Sequence, residues 1–204
     1  MDCQFESMGG DAFDRRASNI DDALMTLDPV AGLLLVAAFM ILFASAALHK
    51  LRHFEQFETA FAAYDLLPGL TRRYGARAVP WLELAVALGL TARSSRALAA
   101  VGGIVLLLGY ALAMAINLRR GRYGLACGCG GADEERPIAA WMVWRNALLA
   151  LFLGTMLWPW GTRALSLIDG LTVACGAAAI VVVYLSLDEL GRVLSRARDL
   201  PDSR

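Results

Sequence analysis

Long apolar runs separated by short polar stretches set the rhythm of this chain. Val30 to Leu48 is uncharged and follows Asp28 and Pro29, and Val79 to Thr91 is broken by a single charge at Glu83. Ala97 to Leu118, Ile138 to Trp158 and Leu167 to Leu187 follow. A hydrocarbon core about 30 Å thick takes roughly 20 helical residues to cross. The pattern therefore predicts an all-α, polytopic transmembrane helix bundle with a four-helix core and a fifth span beside it. Between the first two spans, Phe54, Phe57, Phe61 and Tyr64 recur at helical spacing while Glu55, Gln56, Glu58 and Thr59 fill the opposite side. This is an amphipathic helix, expected either in the headgroup plane with its aromatics down or packed against the bundle. Pro68 and Gly69 end it.

Three regions follow from this reading. Residues 1–28 form an extension outside the membrane with no cleavable signal pattern, so the first span is expected to serve as its own insertion signal. Residues 29–187 form the bundle. Residues 188–204 form a basic tail in which Arg192, Arg196 and Arg198 are expected to anchor to lipid headgroups.

Composition agrees with this pattern. Of 204 residues, 58% are hydrophobic and 19% charged, and the formal net charge is zero. A mean hydropathy of +0.53 is too high for a soluble domain of this length. No basic patch interleaves with aromatics as a nucleic-acid groove would require, so the expected partners are lipid and protein, with no nucleic acid.

Alternating helix directions bring most of the unusual residues to one side. The end of span one, the start of span two, the end of span three and the start of span four must share a membrane face. That face receives His49, Lys50 and His53, then Trp81 and Glu83, then Asn117, Arg119 and Arg120, and then Trp141, Trp144, Arg145 and Asn146. An arginine inside a span requires an anion, because an unpaired ion in low dielectric is costly. Glu83 is the expected partner of Arg145, and Lys50 is expected to snorkel to the interface.

The same face carries "LACGCGGADEERP", residues 125 to 137, between spans three and four. A Cys-Gly-Cys pair closes on itself only as a small, strained ring, and glycines beside the sulfurs relieve the backbone there. Such a disulfide is easily exchanged. Arg119, Arg120 and Arg122 precede the pair, and Pro137 suits the first turn of a helix whose positive dipole end would point at Cys127 and Cys129. A reactive thiol pair is the chemistry this arrangement favours, with a structural disulfide as the alternative. Cys3 would face the other compartment, and Cys175, deep in span five, is expected to be a packing residue. His49 and His53, four residues apart, complete the raw count for a Cys2His2 zinc centre, but Cys-X-Cys is shorter than the usual spacing and no metal is expected.

The runs "HKLRHFEQFETAFAAYDLLP", "VPWLELAVALGL", "NLRRGRYGLACGCGG" and "WMVWRNALLA" resemble the MauE family of methylamine utilisation proteins, which groups with the DoxX-like redox-associated membrane proteins. The resemblance covers roughly residues 30 to 160 and is most specific in the Cys-Gly-Cys and Arg-Asn elements. It implies a helical bundle of the bacterial inner membrane that works with a thioredoxin-like, MauD-like partner on disulfides of the methylamine dehydrogenase small subunit. It places the redox pair on Cys127 and Cys129 and marks Lys50, Glu83, Arg145 and Asn146 as family-pattern positions. A weaker likeness of architecture to the vitamin K epoxide reductases suggests quinone as the electron acceptor, with Trp81, Trp141, Trp144 and Tyr123 as its binding residues. Two other classes are a non-catalytic membrane assembly factor and a metal-binding membrane protein.

Orientation brings two expectations into conflict. The loop side holds thirteen basic residues: Lys50, Arg52, Arg72, Arg73, Arg77, Arg119, Arg120, Arg122, Arg136, Arg192, Arg196, Arg198 and Arg204. The other side holds five, Arg15, Arg16, Arg93, Arg96 and Arg163. The positive-inside rule would put the loop in the cytoplasm. The family resemblance puts it at the periplasmic face, where disulfides are made, and that is the expected orientation.

Overall fold

The computed structural model describes residues 26–66, 68–125, 137–161 and 163–198, with side chains as far as residue 183 and at 186. Asp28 starts the first helix, α1 (Pro29–Arg52), by accepting from the Val30 N–H at 2.8 Å, and Pro29 occupies the first turn, where a missing N–H costs nothing. A one-residue corner at His53 leads into α2 (Phe54–Ala63). Asp65, with φ at 50°, breaks α2 from the helix that follows.

That helix, α3 (Gly69–Thr91), starts ten residues before the apolar run that announces it, and it runs through Pro80. Proline has no N–H, so the Ala76 carbonyl loses its partner one turn back, and both residues are buried. Side chains then close the hairpin into α4 (Arg96–Arg119). Ser95 Oγ donates to the Gly89 carbonyl at 2.8 Å and Arg96 Nε to the Leu90 carbonyl at 3.2 Å, satisfying oxygens that the end of α3 leaves open. The chain returns through α5 (Ala140–Gly154), which tightens into a 3-10 turn at Thr155–Leu157, and ends in the long α6 (Leu167–Arg198). Among the described residues the only strand-like pairing is an isolated bridge between Leu27 and Trp160.

The architecture is all-helical. Among the described residues, Pro29–Arg52, Arg96–Arg119 and Ala140–Leu157 are long and apolar enough to cross a bilayer, and Leu167–Val183 is a shorter apolar stretch. Arginines at 72, 73 and 77 keep α3 from that class although its second half is apolar.

The core lies among α1, α3, α4 and α5. Phe39 and Phe43 meet Val86, Ala87 and Leu90, then Ala100 and Leu107, then Ala150 and Leu153. Small residues set how close the helices come. A Cβ on Gly103 would stand 2.6 Å from Leu153 Cδ2 and 3.1 Å from the Phe43 ring, so this crossing requires glycine. The Trp160 ring lies over Gly32 in the same way. Helix α6 is held against α1, with Leu34 filling the space over Gly176. Arg163 ties its first turn to the start of α1, bonding Asp28 at 3.1 Å and Asp169 at 2.9 Å.

The aromatic stripe of α2 turns inward. Phe57 and Tyr64 are buried, with Phe61 5.8 Å from Phe57 between ring centroids, while Glu55, Gln56 and Thr59 are exposed. Burial holds the Tyr64 phenol protonated by raising its pKa to about 12. Cys175, expected to pack inside, is exposed on the outer face of α6, because only one side of that helix meets α1.

Candidate functional site

The densest polar arrangement among the described residues is buried where α1, α3 and α4 meet. Lys50 and Glu83 are each 1% exposed. The Lys50 ammonium donates to both Glu83 carboxylate oxygens, at 2.7 and 3.0 Å, and the Tyr110 hydroxyl donates to Oε1 at 2.6 Å. The Phe57 and Tyr110 rings lie 5.6 and 5.4 Å from the Lys50 nitrogen, close enough for cation–π attraction. Sequence position explains the convergence. Lys50 is in the last turn of α1, Glu83 lies one turn past Pro80 on the buried face of α3, and Tyr110 is on the neighbouring face of α4.

This geometry corrects two expectations. Glu83 pairs with Lys50, not with Arg145, and Lys50 is sealed inside the bundle rather than snorkelling to its edge. The reason is packing order. The Glu83 face of α3 looks toward α1 and α4, whereas Arg145 is on α5, which packs mainly on α4. Tyr110 and Phe57 complete the site, and sequence reading missed both parts. A tyrosine inside an apolar run, unable to leave its hydroxyl unpaired, was the available signal for Tyr110.

A second set of polar contacts lies nearer the rim. Asn117 Nδ2 donates to the carbonyls of Tyr64 at 3.1 Å and Ala113 at 3.2 Å, while its Oδ1 accepts from Arg122 at 3.4 Å. Arg120 reaches the Asp65 carbonyl at 3.5 Å. These bonds fix the α2–α3 corner beside the end of α4. Asn146 is buried and donates to the Met142 carbonyl at 2.9 Å within α5.

Cys127 and Cys129 lie outside the described residues, but the points where their segment leaves and rejoins the bundle are described. The Ile138 N–H donates to the Leu125 carbonyl at 2.9 Å, so the stretch between them starts and ends at one place on the rim. Met114, Ile138 and Met142 pack beneath this junction. Arg145 is half-buried on α5, its guanidinium carbon 5.2 Å from the Trp141 ring centroid, and its Nε is buried without a hydrogen-bond partner among the described residues.

The four residues expected around a quinone are spread over three parts of the chain. Trp81, Trp141, Trp144 and Tyr123 are all exposed, on α3, on α5 and in the turn after α4, with no ring contact among them. His49 and His53 lie with ring centroids 4.9 Å apart. Among the described residues no group of three or more His, Cys, Asp and Glu side chains is placed to hold a metal ion.

Apolar helices with a sealed lysine–glutamate–tyrosine cluster define a multi-pass α-helical membrane protein. Residues 28–159 match the family model of methylamine utilisation protein MauE. The methylamine utilization protein MauE of Paracoccus denitrificans is 40% identical over 154 residues, covering 74% of this chain and 82% of that one. Those of Methylorubrum extorquens and Methylophilus methylotrophus are 38% identical over 131 residues and 32% over 166, covering 64% and 80% of this chain and 70% and 87% of theirs. No solved structure matches. The chain belongs to the MauE family and is an accessory membrane protein of methylamine utilisation.

Proposed function

We propose that the chain is a membrane thiol–disulfide oxidoreductase whose Cys127–Cys129 pair exchanges disulfides with a thioredoxin-like, MauD-like protein during maturation of a periplasmic enzyme such as methylamine dehydrogenase. The observation that supports the reading is the Ile138 N–H bond to the Leu125 carbonyl, which joins the two described residues on either side of the Cys-Gly-Cys segment in sequence. In this reading α3 and α6 also cross the inner membrane, giving five spans, and α2 lies at the rim with its polar side outward. A partner thiolate attacks one sulfur of the Cys127–Cys129 disulfide, forming an intermolecular disulfide and releasing the other sulfur as thiolate. The partner's second thiolate then attacks its own bridged sulfur, leaving the partner oxidised and the pair reduced by two electrons.

Trapping tests the mechanism. In cells containing the partner, the single thiolate left by Cys127→Ser or Cys129→Ser attacks the oxidised partner's disulfide and has no neighbouring sulfur to complete the exchange, so a reducible adduct with a thioredoxin-like protein is expected to accumulate. No adduct from either variant, together with intact maturation in the double variant, would instead identify a non-catalytic assembly factor.

The periplasmic orientation faces a competing reading with an observation behind it. At the end of the bundle away from the loop, Arg163 is paired with two carboxylates and Arg96 is buried over Trp160, its guanidinium carbon 4.2 Å from the ring centroid. The loop end by contrast carries exposed Arg52, Arg72, Arg73, Arg77, Arg119, Arg120 and Arg122 among the described residues, against Arg93, Arg96 and Arg163 at the far end, and this excess of arginine favours a cytoplasmic rim. Labelling of Cys127 and Cys129 by a membrane-impermeant thiol reagent in intact spheroplasts is expected for the periplasmic orientation. Labelling only after lysis reverses it.

A further inference from the structure

An arginine inside a spanning helix needs an anion, and the described chain supplies none to Arg145. Glu83 is taken by Lys50 and Tyr110, and Asp28 and Asp169 are bound by Arg163 at the far end of the bundle. Arg145 lies five residues into α5, about 7.5 Å along its axis from the first residue. Its guanidinium lies against Trp141, which is 47% exposed, and next to it Trp144 is 71% exposed. Leu148, Leu151 and Phe152 continue this exposed face along the helix. The face is apolar and belongs to a span, so lipid is what meets it.

We propose that Arg145 holds the phosphate of an anionic phospholipid at the outer surface of α5, with Trp141 and Trp144 flanking the headgroup. A guanidinium presents paired N–H groups that match two phosphate oxygens, and the terminal nitrogens of half-buried Arg145 form no hydrogen bond or ion pair among the described residues. Tryptophan suits the level where headgroup meets acyl chain, since its ring is apolar and its N–H needs a wet partner. The rim reinforces the preference for negative lipid. Arg72, Arg73 and Arg77 on α3 and Arg119, Arg120 and Arg122 at the end of α4 are all exposed, and none forms an ion pair among the described residues. The Arg120–Asp65 and Ile138–Leu125 bonds place those two groups and the start of α5 at one end of the bundle. Such a collar enriches anionic headgroups around the site. The proposal concerns the lipid-facing side of α5 and is independent of thiol exchange at the loop.

The test uses the full-length protein, delipidated in detergent and returned to bilayer discs of phosphatidylglycerol or phosphatidylcholine, with bound lipid counted by native mass spectrometry. The wild type is expected to retain one phosphatidylglycerol about tenfold more strongly than Arg145→Gln, a difference of about 1.4 kcal/mol. Retention of phosphatidylcholine should not differ between the two. Arg145→Lys, which keeps the charge but loses the planar fork, is expected to fall between them, and it carries the test if the glutamine variant does not accumulate. Arg93→Gln, an exposed arginine at the opposite end, should behave as the wild type. Equal phosphatidylglycerol retention by wild type and either Arg145 variant would overturn the proposal. So would displacement of the lipid by millimolar inorganic phosphate, which would make this a site for the free anion.

Discussion

Replacing Glu83 by glutamine alters almost no volume and isolates the charge at the centre of the bundle. The carboxylate accepts from Lys50 at 2.7 and 3.0 Å and from Tyr110 at 2.6 Å, with both ions 1% exposed. Glutamine keeps one acceptor, but its NH2 group points a donor at an ammonium that has only donors. Lys50 is then a buried cation with no counter-ion, and breaking a buried pair in this way costs about 3–5 kcal/mol. That corresponds to roughly two to nearly four orders of magnitude in the folding equilibrium. Lys50→Met should cost a similar amount by stranding the carboxylate. Because each single variant leaves an unpaired ion and the double variant leaves none, the two costs should not add. We expect Lys50→Met with Glu83→Gln to fall short of the sum by at least about 2 kcal/mol. Tyr110→Phe, which removes one hydrogen bond to a charged group, should cost about 1.5–3 kcal/mol. Unfolding in mixed micelles by titration with dodecyl sulfate, followed by circular dichroism, measures all four variants. If both single variants stay within about 0.5 kcal/mol of wild type, or their costs add, the pair does not hold the helices together and the account of this site is wrong.

Gly103→Ala is expected to destabilise by about 1–3 kcal/mol in the same titration, because its Cβ would meet Leu153 at 2.6 Å. Gly109→Ala on the same helix meets nothing within 4 Å and should instead stabilise by about 0.5–1 kcal/mol, so equal effects would refute the close-crossing argument. Asp28 is held below the ordinary carboxylate range, first by the Val30 N–H and then by Arg163. A carboxyl depressed in the folded state contributes stability above its unfolded pKa of about 4 and loses it as pH falls through the folded value. Hydrogen exchange at the Val30 amide, corrected for intrinsic rate, should therefore accelerate on acidification below about pH 4. Asp28→Asn, which still caps the helix, should abolish that dependence, and an unchanged acid profile in the variant would assign it elsewhere.

The helices themselves were legible because membrane crossing demands long apolar runs and internal hydrogen bonding, both of which composition records directly. The start of α3 was not. Its first turns carry Arg72, Arg73 and Arg77, so hydropathy places the boundary at Val79 while the backbone is helical from Gly69. The α2 stripe was visible at its helical spacing, but periodicity alone does not say whether Phe57 and Tyr64 face lipid or bundle.

By itself the sequence determined the all-helical class and the position of the Cys-Gly-Cys pair between two apolar helices. Only the tertiary structure decided who pairs with whom. Sequence position pairs Glu83 with Arg145 because both are ions inside spans, yet charge has no direction along a sequence, and several cations can serve. Which cation reaches a carboxylate depends on helix order and rotation, set here by contacts such as Gly103 against Leu153 and Phe43 and by the side-chain caps at the α3–α4 hairpin. Those contacts turn Glu83 toward Lys50 and Tyr110 and leave Arg145 half-buried on α5 with its Nε unmatched among the described residues.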